Sequence, residues 1–201
     1  MLLSKKKRQT YLKELGYYDG KIDGIEGKQT KKAYVNLQKD YFTRDKDIDG
    51  KYGKNTDILL RSAYNCKDSI YFKLEEFKCK CGGKYCTGYP VELNKNLVTY
   101  LNEMRKHYGK SCKVISGMRC KKHNKAVGGT TGSRHTKGKA ADIQITTIST
   151  SKAGRKGIVD YWIDTFKHSR YAYCNGYART KTKTTKPVVK TIGKSTHVDV
   201  K

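Results

Sequence analysis

The sequence predicts an α+β protein in two parts: a small three-helix domain, residues 1–66, and a mixed α+β domain with a central antiparallel sheet, residues 67–201. Two observations predict it. A glycine-rich repeat with helical patterns lies near the start, and helices alternate with short strand-like segments after residue 66. The 201 residues, 36% of them hydrophobic, suffice for a small and a medium domain with a modest core.

The first domain is predicted from an internal repeat. Ile22–Thr30 (IDGIEGKQT) and Ile48–Thr56 (IDGKYGKNT) share the pattern I-D-G-x-x-G-K-x-T at a period of 26 residues. The glycines permit a tight turn with positive φ, and the closing threonines are typical of helix N-caps. Helical patterns follow both copies, and a shorter one around Leu12 and Leu15 precedes the first. The spaced acidic ligands of an EF-hand calcium loop are missing from both copies.

The second domain is predicted from apolar periodicity. A helix is expected where apolar residues recur every three or four positions up to Gly109, and another around Trp162. The first series comprises Leu93, Leu97, Leu101, Met104 and Tyr108; the second comprises Ile158, Trp162, Thr165 and Phe166. Strands are expected at Lys113–Ser116, Lys139–Ile145 and Thr196–Val200.

Two of these strands predict a metal site. Because alternate side chains of a strand face opposite ways, Ile143 and Val198 should face the core, while Asp142 shares the opposite face of its strand with Ala140 and Gln144. His197 and Asp199 share the corresponding face of the last strand, and His135 lies in the loop before the first. Two imidazoles and one carboxylate, His135, Asp142 and His197, make a three-ligand zinc site with one position open for water, which is typical of catalytic zinc. A bound cation would also neutralise Asp142, whose burial would otherwise be costly.

An ordinary interpretation of each histidine stays open, because a single histidine is more often a surface or satisfied core residue. His107 and His168 are interpreted in that way.

The net charge of +26 indicates an anionic partner. Residues 1–65 carry +6 of it and residues 66–201 carry +20, which suits an anionic cell wall or DNA. No helix-turn-helix, zinc-finger or RNA-binding signature is found, so no specific nucleic acid partner is expected. The start, MLLSKKKRQT, has no apolar segment of a secretory signal, and no apolar run approaches the ~20 residues of a membrane span. We therefore expect a monomer that is made in the cytoplasm without a signal peptide.

Four of the seven cysteines form a second pattern whose meaning the sequence leaves open. Cys79, Cys81 and Cys86 have the spacing C-x-C-x4-C, and Cys120 follows later. They could bind a structural zinc ion, form disulfides after release from the cell, or remain buried thiols.

A family resemblance extends the interpretation of the first domain. Residues 12–41, LKELGYYDGKIDGIEGKQTKKAYVNLQKDY, resemble the peptidoglycan-binding module of many cell-wall hydrolases. The module, roughly residues 5–65, would cover about a third of the chain, and the resemblance implies anchoring to the bacterial cell wall.

A second resemblance concerns residues 70–201. They resemble the VanY-like group of D,D-carboxypeptidases and L-alanyl-D-glutamate endopeptidases, which shares its fold with the hedgehog signalling domain. The family pattern S-x-H-x-x-G-x-A-x-D is met by Ser133, His135, Gly138, Ala140 and Asp142; H-x-D is met by His197 and Asp199; S-G-x-R is met by Ser116, Gly117 and Arg119. Together the two parts resemble a phage endolysin, released through a holin to act on the peptidoglycan of the cell wall.

The resemblance implies zinc-assisted hydrolysis of a wall peptide bond, with His135, Asp142 and His197 as ligands of Zn2+. It implies that Arg119 stabilises the oxyanion or binds a substrate carboxylate, although a structural ion pair is equally open. Many relatives carry an acidic base three residues before the last zinc histidine, where this chain has Lys194. Asp199 is then the remaining candidate, either as the catalytic base or as a group that orients a ligand. A non-catalytic wall-binding or nucleic-acid-binding protein and a hedgehog-like domain without hydrolysis are the alternatives.

Overall fold

A computed structural model describes residues 1–182, 184–185 and 192–201 of the chain. Its α-helices are α1 Lys5–Glu14, α2 Lys28–Tyr41, α3 Lys54–Cys66, α4 Lys95–Tyr108, α5 Lys121–Ala126 and α6 Lys152–Thr165. Its strands are β1 Cys112–Ser116, β2 Ala140–Ile145, β3 Ser169–Cys174, β4 Tyr177–Thr180, β5 Thr184–Thr185 and β6 Thr196–Val200. Within the described residues these strands form one antiparallel sheet in the order β1-β2-β6-β3-β4-β5. The predicted α+β class with an antiparallel sheet is therefore confirmed.

The three N-terminal helices confirm the interpretation of the repeat, but the predicted N-caps are wrong. Helices α2 and α3 begin two residues before Thr30 and Thr56, and their N-cap residues are Gly27 and Gly53. Both threonines are buried in the first helical turn. Thr56 accepts a hydrogen bond from the side-chain amide of Gln38 and donates one to a main-chain carbonyl, so its hydroxyl ties the turn to the neighbouring helix.

The two copies of the repeat are closed by the same hydrogen-bonding device. In the first, Gln9 donates to Asp23 at 2.9 Å and accepts from the N–H of Gly24 at 2.7 Å. In the second, Gln38 donates to Asp49 at 3.0 Å and accepts from the next glycine N–H at 2.8 Å. Both glutamines are fully buried, and both of these glycines have positive φ. Each copy therefore satisfies its buried polar groups within the three-helix region.

The three-helix region also contacts the rest of the chain. The Ser62 hydroxyl on α3 accepts a hydrogen bond from the N–H of Leu93 at 3.0 Å, and Asn65 donates to the carbonyl of Leu93 at 2.8 Å. The N–H of Thr43 donates to the carbonyl of Thr87. Buried side chains continue across this junction in one hydrophobic cluster.

The second domain buries one face of the sheet against helices. Ala141, Ile143 and Ile145 of β2 and Val198 and Val200 of β6 lie in the hydrophobic core, as their alternation predicts. Trp162 of α6 is fully buried there, and its indole N–H donates to the carbonyl of Asp199 at 3.0 Å. Helix α4 ends at Gly109 as predicted, with φ +58, whereas Leu93 lies buried before the first helical residue. Strands β3 and β4 were not expected from the sequence.

Gly138 lies at a tightly packed point of the second domain. It ends the short 3-10 turn Arg134–Lys137 and has a φ of +67. A Cβ at this position would collide with the main-chain carbonyl of Glu92, which cannot swing away as a side chain would. We expect Gly138→Ala to lower the free energy of unfolding by about 3 kcal/mol or more. Denaturant unfolding of the purified variant measures it.

Gly109→Ala is the matched control, because Gly109 has a similar φ of +58 but open space around its Cβ position. We expect it to cost only about 1–2 kcal/mol, the ordinary penalty of a left-handed non-glycine residue. Equal losses in the two variants would contradict the close contact with Glu92.

No helix among the described residues is both long and apolar enough to cross a membrane.

Candidate metal centre

The pairing of β2 with β6 places two predicted ligands side by side. Asp142 lies opposite His197, and Ala140 lies opposite Asp199. Directly opposed residues of antiparallel strands have Cβ atoms about 4.5–5.5 Å apart, so the side chains of Asp142 and His197 meet on one face. The 3-10 turn Arg134–Lys137 brings His135 to the same point.

The three predicted ligands do converge. Asp142 Oδ1 is 2.8 Å from His197 Nδ1 and 3.3 Å from His135 Nε2, and the two ring nitrogens are 3.3 Å apart. Zinc bound tetrahedrally at about 2.0–2.1 Å from each ligand would require ligand atoms roughly 3.3 Å apart. All three residues are buried. The donor set therefore fits one tetrahedral ion with only small adjustment.

The other nitrogen of each imidazole faces a hydrogen-bond acceptor, which leaves a lone pair for the metal. His135 Nδ1 is 2.7 Å from the carbonyl oxygen of Gly117, so this nitrogen carries the proton and Nε2 is the free one. His197 Nε2 is 3.6 Å from Asp199 Oδ2, which leaves Nδ1 for the metal. Such acceptors orient metal-binding histidines in many sites.

Asp142 is held ionised by its neighbours. Burial opposes its ionisation, but hydrogen bonds with His135 and His197 outweigh it and set the pKa of the carboxyl well below its usual range. The second carboxylate oxygen accepts from Arg119 Nη2 at 2.6 Å, and Arg119 Nε donates to the Ser116 hydroxyl at 2.8 Å. Arg119 thus forms the structural ion pair considered above, while its guanidinium also lines the adjoining cavity.

The pKa values of the two histidines shift in opposite directions. Burial lowers the pKa of His135 below its usual value, which favours the neutral, metal-binding form. Burial also acts to lower the pKa of His197, but hydrogen bonds with Asp142 and Asp199 outweigh it and raise that pKa. In the metal-free protein His197 therefore retains its proton more readily, and a bound cation would replace that proton.

Asp199 is buried, and its carboxylate is engaged by donors. Arg170 approaches it in a fork, with Nε 3.2 Å from Oδ1 and Nη2 2.8 Å from Oδ2, and the N–H of Tyr171 donates to Oδ1 at 2.9 Å. With His197 on its remaining side, this carboxylate is placed to orient the imidazole. This geometry favours the orienting role over that of a base, which needs a lone pair directed at water.

An open cavity of about 600 Å³ leads to the three ligands. Its walls come from the glycine-rich loop 127–132, from β3 and from Ile192, which precedes β6. Tyr173 stacks on the ring of His197 with centroids 4.7 Å apart. Lys194, at the position of the acidic base in many relatives, is exposed in the turn before β6.

Arg170, Tyr173 and the carbonyl of Gly117 belong to the site but were missed in the sequence. The alternation of Tyr171 and Tyr173 with Ala172 and Cys174 was the available signal for β3. The adjacent Arg170 falls in the register shift between Ser169 and Ala172, so alternation does not assign its face.

A mixed α+β domain with two histidines and a carboxylate at the base of an open cavity defines a candidate metallohydrolase. A family model described as Peptidase M15 matches residues 70–158. The match supports a metal-dependent peptidase of the M15 type over this stretch. It covers His135, Asp142 and Arg119 and ends before His197 and Asp199. No curated protein matches the chain.

Proposed function

We propose that the protein is an endolysin-type peptidoglycan hydrolase that cleaves a peptide bond of the wall stem peptide or cross-link. The main support is the convergence of His135, Asp142 and His197 at the base of an open cavity, with His135 and Asp142 inside the stretch that matches Peptidase M15. The set of two imidazoles and one carboxylate, with one side facing the cavity, favours zinc with an open position. Zinc bound there would supply an acidified water and polarise the scissile carbonyl.

The chain's own residues then have separate roles. His135 and His197 are presented as neutral ligands because Gly117 and Asp199 face their other nitrogens. Arg119 holds Asp142 through Nη2 and the Ser116 hydroxyl through Nε, and we assign its Nη1 to a substrate carbonyl or carboxylate at the cavity wall.

Hydrolysis also requires a group that accepts the proton of the attacking water. Among the described residues that line the cavity, the carboxylates are those of Asp142 and Asp199, and both are engaged by arginine. His123 lines an adjoining cavity together with Asp142 and Arg119. We therefore propose His123 as the alternative proton acceptor should Asp199 prove to be only an orienting group.

The decisive experiment is digestion of purified peptidoglycan followed by mass spectrometry of the fragments. Cleavage within the stem peptide or cross-link is expected, and the masses of the new ends would identify the bond. A hedgehog-like domain that binds metal without hydrolysis is the second candidate, because both cavity carboxylates are engaged. Unchanged peptidoglycan in the presence of fully zinc-loaded protein would favour it.

We further propose that residues 1–66 form a wall-binding domain. The support is the resemblance of residues 12–41 and the self-contained Gln–Asp turns of both repeat copies. The side chains of Leu12, Tyr34, Leu37, Leu59 and Leu60 are buried in this region, and their packing should let it fold in isolation. Isolated residues 1–66 are expected to unfold cooperatively and to sediment with purified sacculi.

Residues 67–201 are the control for this binding experiment, because they carry most of the positive charge and could bind an anionic wall by themselves. Their retention should be weaker and should fall steeply with added salt. Equal retention of both fragments at physiological salt would contradict the anchoring role of residues 1–66.

A further inference from the structure

The four cysteines whose role the sequence leaves open form a compact cluster, the cysteine tetrad Cys79, Cys81, Cys86 and Cys120. Their sulfur atoms all lie within 4.8 Å of one another, and those of Cys81 and Cys86 are 3.5 Å apart. All four are free thiols. We propose that the cysteine tetrad is a structural zinc site, separate from the metal centre at His135.

The spacing of the sulfur atoms favours one ion over two disulfides. Four thiolates around zinc at about 2.3 Å stand roughly 3.8 Å from one another, which lies within the range of this cluster. Disulfides would instead require two pairs of sulfurs at about 2.05 Å, each drawn apart from the other pair. A tetrad in which every sulfur is near the other three is the arrangement of a closed, four-ligand site.

Main-chain donors and one arginine lie beside sulfur atoms of the tetrad. Cys79 Sγ accepts from the N–H of Cys120 at 3.4 Å, and Cys120 Sγ accepts from the N–H of His123 at 3.3 Å. Arg44 lies close enough to interact with the charges of Cys81 and Cys86. Main-chain donors and nearby cations support thiolate ligands in the same way in metal sites generally.

The local chain is shaped to bring three of the ligands together. Gly82 and Gly83, both with positive φ, let the loop reverse between Cys81 and Cys86. The N–H of Cys79 donates to the carbonyl of Gly88 at 2.8 Å and closes the loop at its base. The loop contains no regular strand or helix. A metal ion would constrain its conformation.

The fourth ligand connects this loop to the metal centre. Cys120 directly follows Arg119, and the same segment supplies the Gly117 carbonyl that faces His135. The N–H of Arg119 donates to the carbonyl of His135 at 3.1 Å. Zinc in the tetrad would therefore fix the segment that positions both Arg119 and the imidazole of His135.

The test is the metal content of the full chain together with its cobalt spectrum. We expect about two zinc ions per chain, with about one left in Cys86→Ser and about one left in His135→Ala. Refilling the metal-free protein with Co2+ should give intense thiolate-to-cobalt absorption in the wild type and in His135→Ala. The same absorption should be lost in Cys86→Ser.

Cys66→Ser is the matched control, because Cys66 is buried outside the tetrad and its sulfur donates to the carbonyl of Phe72, as a serine hydroxyl can. It should keep both zinc ions and the cobalt spectrum. Should Cys86→Ser fail to fold, the wild-type cobalt spectrum and thiol count still decide. Absence of thiolate-to-cobalt absorption in reduced wild type, or a freshly purified protein with four fewer free thiols than its seven cysteines, would overturn the proposal. Loss of hydrolysis alone leaves these readouts unchanged, so the two proposals fail separately.

Discussion

Replacing His135 with alanine is expected to remove the ion of the candidate metal centre and to abolish peptide hydrolysis. Alanine leaves Asp142 and His197 as the remaining ligands, and it also removes the ring that is held by the Gly117 carbonyl. Activity on purified peptidoglycan should fall by more than about 100-fold, the upper range for groups that merely support a ligand. Elemental analysis should show the loss of one zinc ion per chain, while the thiolate-bound ion is retained.

His168→Ala is the control for this variant, because His168 is exposed and lies outside the cluster of His135, Asp142 and His197. It should keep both its zinc content and its activity. A His135→Ala protein that is folded and retains full zinc would exclude His135 as a ligand. Full zinc loss with undiminished hydrolysis would separate metal binding from catalysis and refute the proposed function.

Asp199→Asn is expected to weaken zinc binding at the metal centre by roughly 10–100-fold, since Asp199 faces the nitrogen of His197 that points away from the ligand cluster. The amide keeps the shape of the carboxylate but loses the charge that favours the proton on His197 Nε2. Saturating zinc should then restore much of the hydrolysis. Zinc affinity by competition with a chelator and activity at several zinc concentrations measure both effects.

A different result would assign Asp199 the role of base. In that case the variant should bind zinc normally and remain inactive at every zinc concentration. Normal zinc affinity with near-normal activity would exclude both roles and direct attention to His123. Asp164→Asn is the control, because Asp164 is an exposed carboxylate that also pairs with an arginine, Arg179, away from the metal centre.

Arg170 holds the carboxylate of Asp199 in place, so its removal should also affect how Asp199 orients His197. Its guanidinium holds Asp199 in a fork and is itself about half exposed, at 47% of its side chain. Removing it should therefore disturb the aim of Asp199 more than the stability of the fold.

Asp142 and His197 could be predicted from the sequence because both lie on strands with alternating apolar and polar residues. Asp142 and His197 each occupy one face of a short strand whose other face is apolar, and this local pattern is readable without any knowledge of the partner strand. The structure adds the register that sets the two residues opposite each other. His135 lies in the loop before the first of these strands, so the sequence predicts its participation from chain proximity, and the family resemblance supports it.

For the N-terminal helices, the sequence predicts that the helices exist but not where each one begins. The 26-residue repeat predicts three helices, and the three helices form. The first residue of each repeated helix was misplaced, because threonine is a favoured N-cap in general, whereas here Thr30 and Thr56 are drawn inside by burial. Tertiary packing therefore places both threonines in buried positions and leaves the N-cap positions to glycines.

The sequence by itself determined the α+β class and the three-helix repeat, and it predicted the candidate ligands His135, Asp142 and His197, because these depend on local periodicity and short motifs. Only the tertiary structure decided the partners of Asp199, the nitrogen that each histidine offers, and the meeting of Cys120 with a loop 34 or more residues earlier. Those features depend on contacts between residues far apart in the chain. Such contacts are determined by how the sheet and its connections pack, and spacing along the sequence carries no direct record of them.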